Sequence, residues 1–332
     1  MPPALHVCQQ GFEAFLAKEA GACREKGPGW VMSASAATDL CFAHFSLPQP
    51  LELEGESVNI LAGRIADYFL ETSRGELYEA VWPLCFEAAG VESLNQRCRG
   101  VLKAFQEKTS RMARVMRLAE EGRPALGSWR GLFVYLTDFK RAFAARQAWG
   151  GGQRRMSDDP RAPSRSYLKV EEAYLVLREA PRPGDSVADL GAAPGGWSFS
   201  AAQRGARVLA VDNGPLKGGA LDNPLIEHCP QDAYKFAPER TMDWLFCDMI
   251  DDPRKVLELL RRWVRRGWCR KFIVNLKFGR HDPFLLLREA ASSQGGISSR
   301  CSVLRPRHLF HDREEITLVG MLKEGQGRGH GR

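Results

Sequence analysis

Two charged side chains in this 332-residue chain close apolar runs: Asp248 after Met242-Asp-Trp-Leu-Phe-Cys247, and Lys277 after Phe272-Ile-Val-Asn-Leu276. A charge in such a place needs a partner or a function. Lys169, in Ser164-Arg-Ser-Tyr-Leu-Lys169, and Glu315, opening Glu315-Ile-Thr-Leu-Val-Gly320, complete the candidate set. A lysine beside a second cation and partly removed from water gives up its proton below the ordinary pKa of about 10.4. Lys277 is then the expected general base, Lys169 the neighbouring cation and Asp248 the group that orients the pair. Glu315 is expected to hold Lys169 or the substrate. Taken singly, each lysine reads as a surface charge; the ordered set does not.

Upstream lies Val187-Ala-Asp-Leu-Gly-Ala-Ala-Pro-Gly-Gly-Trp197, an apolar strand passing through Asp189 and Gly191 into a tight turn and a helix opening at Trp197. Glycines at 191, 195 and 196 admit a ligand close to the backbone, and the helix start offers free N–H groups. Gly191 and Gly195 stand four apart with Pro194 between them, unlike the GxGxxG turn that holds a pyrophosphate. S-adenosylmethionine, which carries an amino acid, a ribose and a sulfonium but no phosphate, suits this turn better. Asp212 ends the next strand-like run 23 residues after Asp189, where an acid accepts hydrogen bonds from ribose hydroxyls. Asp232 follows the third run and is expected to meet the adenine amino group. Each also has a local reading, Asp212 as a turn residue before Asn213-Gly214 and Asp232 as a helix cap. The expected cofactor contacts are Ser166, Asp189, Gly191, Ala193, Pro194, Gly195, Gly196, Trp197, Asp212, Asp232 and Asp248, with no metal.

These residues need a sheet to bring them together. Strand-like runs at 185–191, 206–212, 225–229, 242–248, 271–277, 297–304 and 315–321 alternate with helical or polar segments. Such alternation predicts an α/β fold with a largely parallel, Rossmann-like seven-stranded sheet. The last two runs are separated by a link short enough for a hairpin, so the final strand is expected to be antiparallel. Residues 1–150 predict an α+β region, with strands at 4–9, 38–46, 76–82 and 131–137 and helices at 11–22 and 57–70. Residues 92–118 read as a basic helix or helix pair whose Arg97, Arg99, Lys103, Lys108, Arg111, Arg114 and Arg117 face phosphate or solvent. The stretch 151–165 reads as an exposed linker, 166–323 as a second domain and 324–332 as a flexible basic tail.

The net charge of +7 suits an anionic partner without choosing among RNA, DNA and an acidic surface. The segment 254–271 alone carries eight basic residues on what reads as an amphipathic helix, its arginines meeting solvent or phosphate. Nine cysteines show no metal-ligand spacing, and no apolar run approaches the ~18 residues of a membrane span. Reduced thiols and a cytoplasmic location are expected.

DLGAAPGGW, SRSYLK upstream of it, CDM after the fourth strand and NLK after the fifth together resemble the FtsJ-type ribose 2′-O-methyltransferases over residues 164–323. The family's lysine–aspartate–lysine–glutamate tetrad falls on Lys169, Asp248, Lys277 and Glu315. APSRS, VDNGP and Phe310-His-Asp-Arg-Glu-Glu315 are similar to those members that methylate a cytidine ribose in the peptidyl transferase region of 23S rRNA. Cys8-Gln-Gln-Gly-Phe-Glu13 resembles the start of the same members, which carry an N-terminal THUMP RNA-binding domain. The resemblance implies S-adenosylmethionine as cofactor and 23S rRNA or a large-subunit assembly intermediate as partner, with the chain acting as a monomer and away from membranes. Two departures stand: the N-terminal region is shorter, and Ala193 replaces a cysteine. Another structured RNA as substrate, or an inactive rRNA-binding assembly factor, are the alternatives.

Overall fold

A computed structural model describes residues 3–35, 37–76, 78, 80–292 and 297–324. It divides into two compact units, Met1–Gly152 and Gln153–Arg332.

The first unit opens with β1 (Ala4–Val7), α1 (Glu13–Ala20), β2 (Cys23–Gly27), β3 (Trp30–Ser33), β4 (Phe45–Pro48) and β5 (Leu51–Glu54). It continues with α2 (Val58–Thr72), β6 (Trp82–Ala88), α3 (Leu94–Lys108), α4 (Ala113–Met116), β7 (Ala119–Glu121), β8 (Gly127–Leu136) and β9 (Arg141–Gly150). The strands form one mixed sheet in the order β2-β3-β1-β4-β9-β8-β6-β7, with β5 also on β9. Ser57 caps α2 by accepting from the Ile60 N–H at 3.2 Å. The helix then buries Leu61, Ile65 and Phe69 at four-residue spacing. In the expected basic segment, Arg99, Lys103, Lys108, Arg111, Arg114 and Arg117 are exposed. Arg97 instead donates to the carbonyls of Gly55 and Glu56 at 3.4 and 3.1 Å, holding the loop before α2.

Two strand expectations need correction. Residues 40–44 are buried but irregular, because the Glu19 carboxylate takes the Cys41 and Phe42 N–H groups at 2.7 and 3.0 Å in place of a ladder. In place of the strand expected at 76–82 stands β6 at Trp82–Ala88, paired with β7 from Trp82 and with β8 from Leu84.

The second unit holds α5 (Tyr167–Leu177), β10 (Ser186–Leu190), α6 (Gly196–Gln203), β11 (Arg207–Val211), β12 (Ile226–Cys229) and β13 (Met242–Cys247). After these come α7 (Pro253–Arg266), β14 (Cys269–Lys277), α8 (Pro283–Ala291), β15 (Cys301–Arg307) and β16 (Glu315–Leu322). Its seven strands are ordered β12-β11-β10-β13-β14-β16-β15. The first five run parallel, and β16 is antiparallel to both its neighbours. The order reverses between β10 and β13, the position where open α/β sheets leave a crevice at the strands' carboxyl ends. Trp197, Trp244, Phe246 and Tyr174 pack edge-on or tilted beneath that crevice.

The stretch 151–165 is exposed at seven positions, Arg154 and Arg165 among them, yet it is not the free spacer expected. Gln153 is buried, the Arg154 N–H donates to Glu172 at 3.0 Å, and the Met156 N–H donates to His311 Nε2 at 2.9 Å. A buried carboxylate on α5 and a ring on the 308–313 loop therefore tie its first half to the second unit. Residues 325–332 of the expected tail lie outside the described residues.

Asp189 faces inward, 1% exposed, and accepts from the Ser198 hydroxyl at 2.7 Å, which pins β10 to α6. Burial, reinforced by the charges of Asp248 and Asp212 against the Ser198 hydrogen bond, pushes its carboxyl up to about 7. The unfolded chain would titrate it near pH ~3.9. Between these values the folded state holds the extra proton, so this contribution is full below pH ~4 and is lost as pH rises toward 7. Asp189→Asn should remove that slope, on the order of a few kcal/mol, in thermal unfolding followed from pH 4 to 8. Parallel stability curves for the two proteins would rule it out.

Candidate active site

Sheet register places the ionisable cluster. Lys277, the last residue of β14, pairs directly with Glu315, the first of β16. Asp248 follows the end of β13, the other neighbour of β14, and Lys169 projects from the first turn of α5. Lys169 Nζ donates to Glu315 Oε1 at 2.7 Å and to Asp248 Oδ1 at 3.4 Å. Lys277 Nζ donates to Asp248 Oδ1 and, at 3.2 Å, to Glu315 Oε2. Two ammoniums and two carboxylates thus alternate around a closed ring.

Asn275 was not anticipated. It is fully buried and its Nδ2 donates to Asp248 Oδ1 at 3.1 Å and Glu315 Oε2 at 3.0 Å, holding the two carboxylates side by side. Its signal was present: a polar residue inside an apolar strand, two positions before Lys277 and so on the same face.

The charge state of Lys277 corrects the sequence expectation. Burial works against its ammonium, but Asp248 and Glu315 outweigh burial and hold it above the ordinary lysine range. The neighbouring Lys169 does not prevail because both carboxylates lie in direct contact. Glu315 shows the complement: burial opposes its charge, yet Lys169 and Lys277 hold its carboxyl below the usual range. Behind it, burial and the charge of Glu315 push Asp312 well above the carboxylate range. Asp312 accepts from the Leu309 N–H at 2.8 Å and from the Thr317 hydroxyl at 3.0 Å.

Two clefts meet at the cluster. One, of about 610 Å³, is lined by Ser166, Gly191, Ala193, Pro194, Asp212, Asp232 and Asp248, with Lys169 and Lys277 at one end. The other, of about 630 Å³, shares Ser166, Lys169 and Lys277 and is bounded by Arg165, His311, Arg313 and Glu315. Gly191 has φ +73°, and a Cβ there would stand 2.2 Å from Met249 Cγ. A Cβ at Gly196 would strike the Ser164 and Ser166 hydroxyls at 2.8 and 2.7 Å. Asp189, Gly195, Gly196 and Trp197 do not line either cleft but support the turn. Gly195 packs toward Ala220, and the Trp197 indole donates to the Ser166 carbonyl at 2.9 Å.

Asp212 realises its local reading and keeps its place in the cleft. Its carboxylate accepts from the N–H groups of Gly214 at 2.7 Å and Ala193 at 3.0 Å. A carboxylate offers about four lone-pair directions, so two remain for a ligand. Asp232 likewise accepts from the Tyr234 N–H at 2.9 Å while lining the cleft. Asn213, Gln231, Met249 and Ile250 also line it without having been anticipated. Their side chains left no pattern in the sequence because the loops carrying them follow strand ends irregularly.

The second cleft's wall is fixed from within. Glu172, fully buried on α5, accepts from the N–H groups of Phe310 at 2.8 Å and His311 at 3.1 Å. The same helix therefore carries Lys169 and anchors the loop bearing His311 and Arg313.

Residues 162–260 match the family described as FtsJ-like methyltransferase. Ribosomal RNA large subunit methyltransferase M of Stenotrophomonas maltophilia (strain K279a) is 44% identical over 203 residues, covering 57% of this chain and 56% of that protein. The protein of the same name from Halorhodospira halophila (strain DSM 244 / SL1) is 38% identical over 205 residues, covering 60% of each. The chain thus spans a little over half the length of these curated relatives. Among solved structures, TrmN from Thermus thermophilus is similar at 18% identity and a TM-score of 0.38, over 96% of this chain and all of that one. The resemblance read from the motifs is borne out: residues 162–260 match an FtsJ-like methyltransferase, and the chain is similar to ribosomal RNA large subunit methyltransferase M.

Proposed function

We propose that this protein transfers a methyl group from S-adenosylmethionine to a ribose 2′-hydroxyl of RNA. The observation that carries the reading is the lysine–carboxylate ring standing where the two clefts meet. The 610 Å³ cleft fits the cofactor's chemistry. On this reading Asp212 accepts from ribose hydroxyls with its remaining lone pairs and Asp232 accepts from the adenine amino group, while Gly191, with φ +73° and Met249 excluding a Cβ, shapes the turn that lines the cleft. The cleft with Arg165 and Arg313 suits an RNA strand, and only RNA brings a 2′-hydroxyl to it.

S-adenosylmethionine supplies a methyl group on a sulfonium whose leaving group is a neutral thioether. The acceptor is a very weak acid, so a base must take its proton as the bond forms. Lys277 Nζ is that base, and Asp248, Glu315 and Asn275 fix its position. It must first shed the proton that its carboxylate neighbours stabilise. Lys277 loses that proton more readily once a cation shares the cleft. Lys169 keeps Glu315 and Asp248 paired while Lys277 changes charge.

We infer further that the first unit is a THUMP-like RNA-binding region, supported by its α+β composition and by the exposed basic residues of α3 and α4. The substrate on this reading is a cytidine of 23S rRNA, free or in an assembly intermediate, met by a cytoplasmic monomer. The relatives' names support the rRNA; the cytidine rests only on the family resemblance that the motifs carry.

Labelled cofactor and unmodified 23S transcript should yield label on a ribose 2′-oxygen by nuclease digestion and mass spectrometry. Lys277→Ala should lower transfer by about 10²–10⁴-fold with cofactor affinity nearly intact by calorimetry. Label on a base, or full turnover by the variant, would contradict the assignment. The pH profile offers a second check. Because Lys277 acts unprotonated, the single-turnover rate should climb with pH, and Glu315→Gln should move the inflection to lower pH by removing a charge that raises Lys277. An inflection that stays in place would remove Glu315 from that role.

A further inference from the structure

The chain's most basic helix is left unused by the chemistry above. α7 begins at a cap where Asp252 accepts from the Arg254 N–H at 2.8 Å, with Pro253 in the first turn. It buries Val256, Leu257, Leu260, Trp263 and Val264, so its outer face is held rigidly. Along that face runs a groove of about 920 Å³, larger than either cleft at the lysine ring. Its cations are Arg254, Lys255, Arg262, Arg265 and Arg266, against two carboxylates, Asp251 and Glu258.

The opposing acids offset only part of it. Glu258 is engaged by Arg261, and Asp251 by the Tyr234 hydroxyl at 3.0 Å and by Lys255 at 3.4 Å. Arg254 meets Glu289 only at 3.6 Å with its side chain more than half exposed, a contact of little worth in water. Arg262 is fixed by donating to the Tyr234 carbonyl at 2.6 Å and lies over Trp268, while its Nε is buried without a partner among the described residues. Positions 254 and 266 are twelve residues apart, so the cations span about 18 Å of helix. A small anion would need one end of that span. A phosphodiester strand, charged at every nucleotide, matches all of it. Tyr234 and Asp251 also line the 610 Å³ cleft, so the groove opens beside it.

We propose that the outer face of α7 is a second RNA surface, holding the phosphate backbone of the substrate strand away from the reacting ribose. This rests on the reading of RNA as substrate. It assigns the α7 arginines to affinity, independent of sequence, and not to the methyl-transfer step.

The test uses the full chain and a fluorescein-labelled single-stranded RNA, titrated by anisotropy over a series of salt concentrations. Arg254→Gln, Arg265→Gln and Arg266→Gln combined should weaken binding at least ~10-fold and flatten the log K against log salt slope by about 2, as loss of three phosphate contacts requires. The KM for RNA should rise with kcat within about twofold, because the contacts are uniform to ground and transition states. If the triple variant does not give a normal circular-dichroism melt, Arg266→Gln alone should flatten the slope by about 0.7. Unchanged affinity and slope in a folded, methylating variant would overturn the proposal. A wild-type protein that binds RNA with the steeper slope yet methylates none would leave the groove standing and remove the methyl-transfer reading instead.

Discussion

The second unit is organised around one electrostatic constraint: four charges drawn from four elements are partly buried together, and each is tolerable only because the others are there. Taking an ion from water is expensive unless pairing and hydrogen bonding compensate, and removing one partner leaves the others uncompensated. The Lys169–Asp248–Lys277–Glu315 ring satisfies this with opposite charges alternating and Asn275 tying the carboxylates together. The sheet order β13-β14-β16 is what makes the ring possible, because it brings three charged strand ends side by side. The antiparallel β16 is essential here. Its first residue, not its last, meets the carboxyl end of β14.

Supporting contacts continue outward from the ring. Glu172 secures the 308–313 loop and the start of the 153–165 segment to the helix that carries Lys169. Asp312 braces that loop against Thr317 on β16, two residues beyond Glu315. Asp189 and Ser198 lock the glycine-rich turn to its strand. Each is a buried carboxyl group satisfied by neighbouring donors, which places rigidity immediately behind the groups that must hold a proton in position.

Much of this arrangement was legible before folding. The central parallel strands β10, β13 and β14 are mostly buried, so they stand out as apolar runs, and the charges that close β13 and β14 mark the sheet's carboxyl end. What was not legible depended on direction and distance. Asp189 lies within the motif yet turns inward, and although Asn275 stands out as polar in an apolar run, the sequence does not show that it bridges the two carboxylates. The direction in which Lys277 is shifted hinged on whether Lys169 or the carboxylates came closer, which spacing along the chain does not fix. The 151–165 stretch looked like a spacer because its anchors, Glu172 and His311, are distant in sequence. In the first unit, β2 and β5 carry charged, exposed faces and β9 is buried nearly throughout, so none alternates as a half-buried strand would.

The ring makes Lys277 a charged residue that must become a base, and that conversion can be observed directly. Lysine labelled at the side chain, with the Lys277 signal identified by its loss in Lys277→Ala, can be titrated by NMR in the free protein and with S-adenosylmethionine or S-adenosylhomocysteine. The account predicts a pKa above the ordinary lysine range in the free protein. It predicts a lower value with the sulfonium and little change with the neutral thioether. A Lys277 already neutral near pH 7 in the free protein, or one whose pKa responds equally to both ligands, would contradict it.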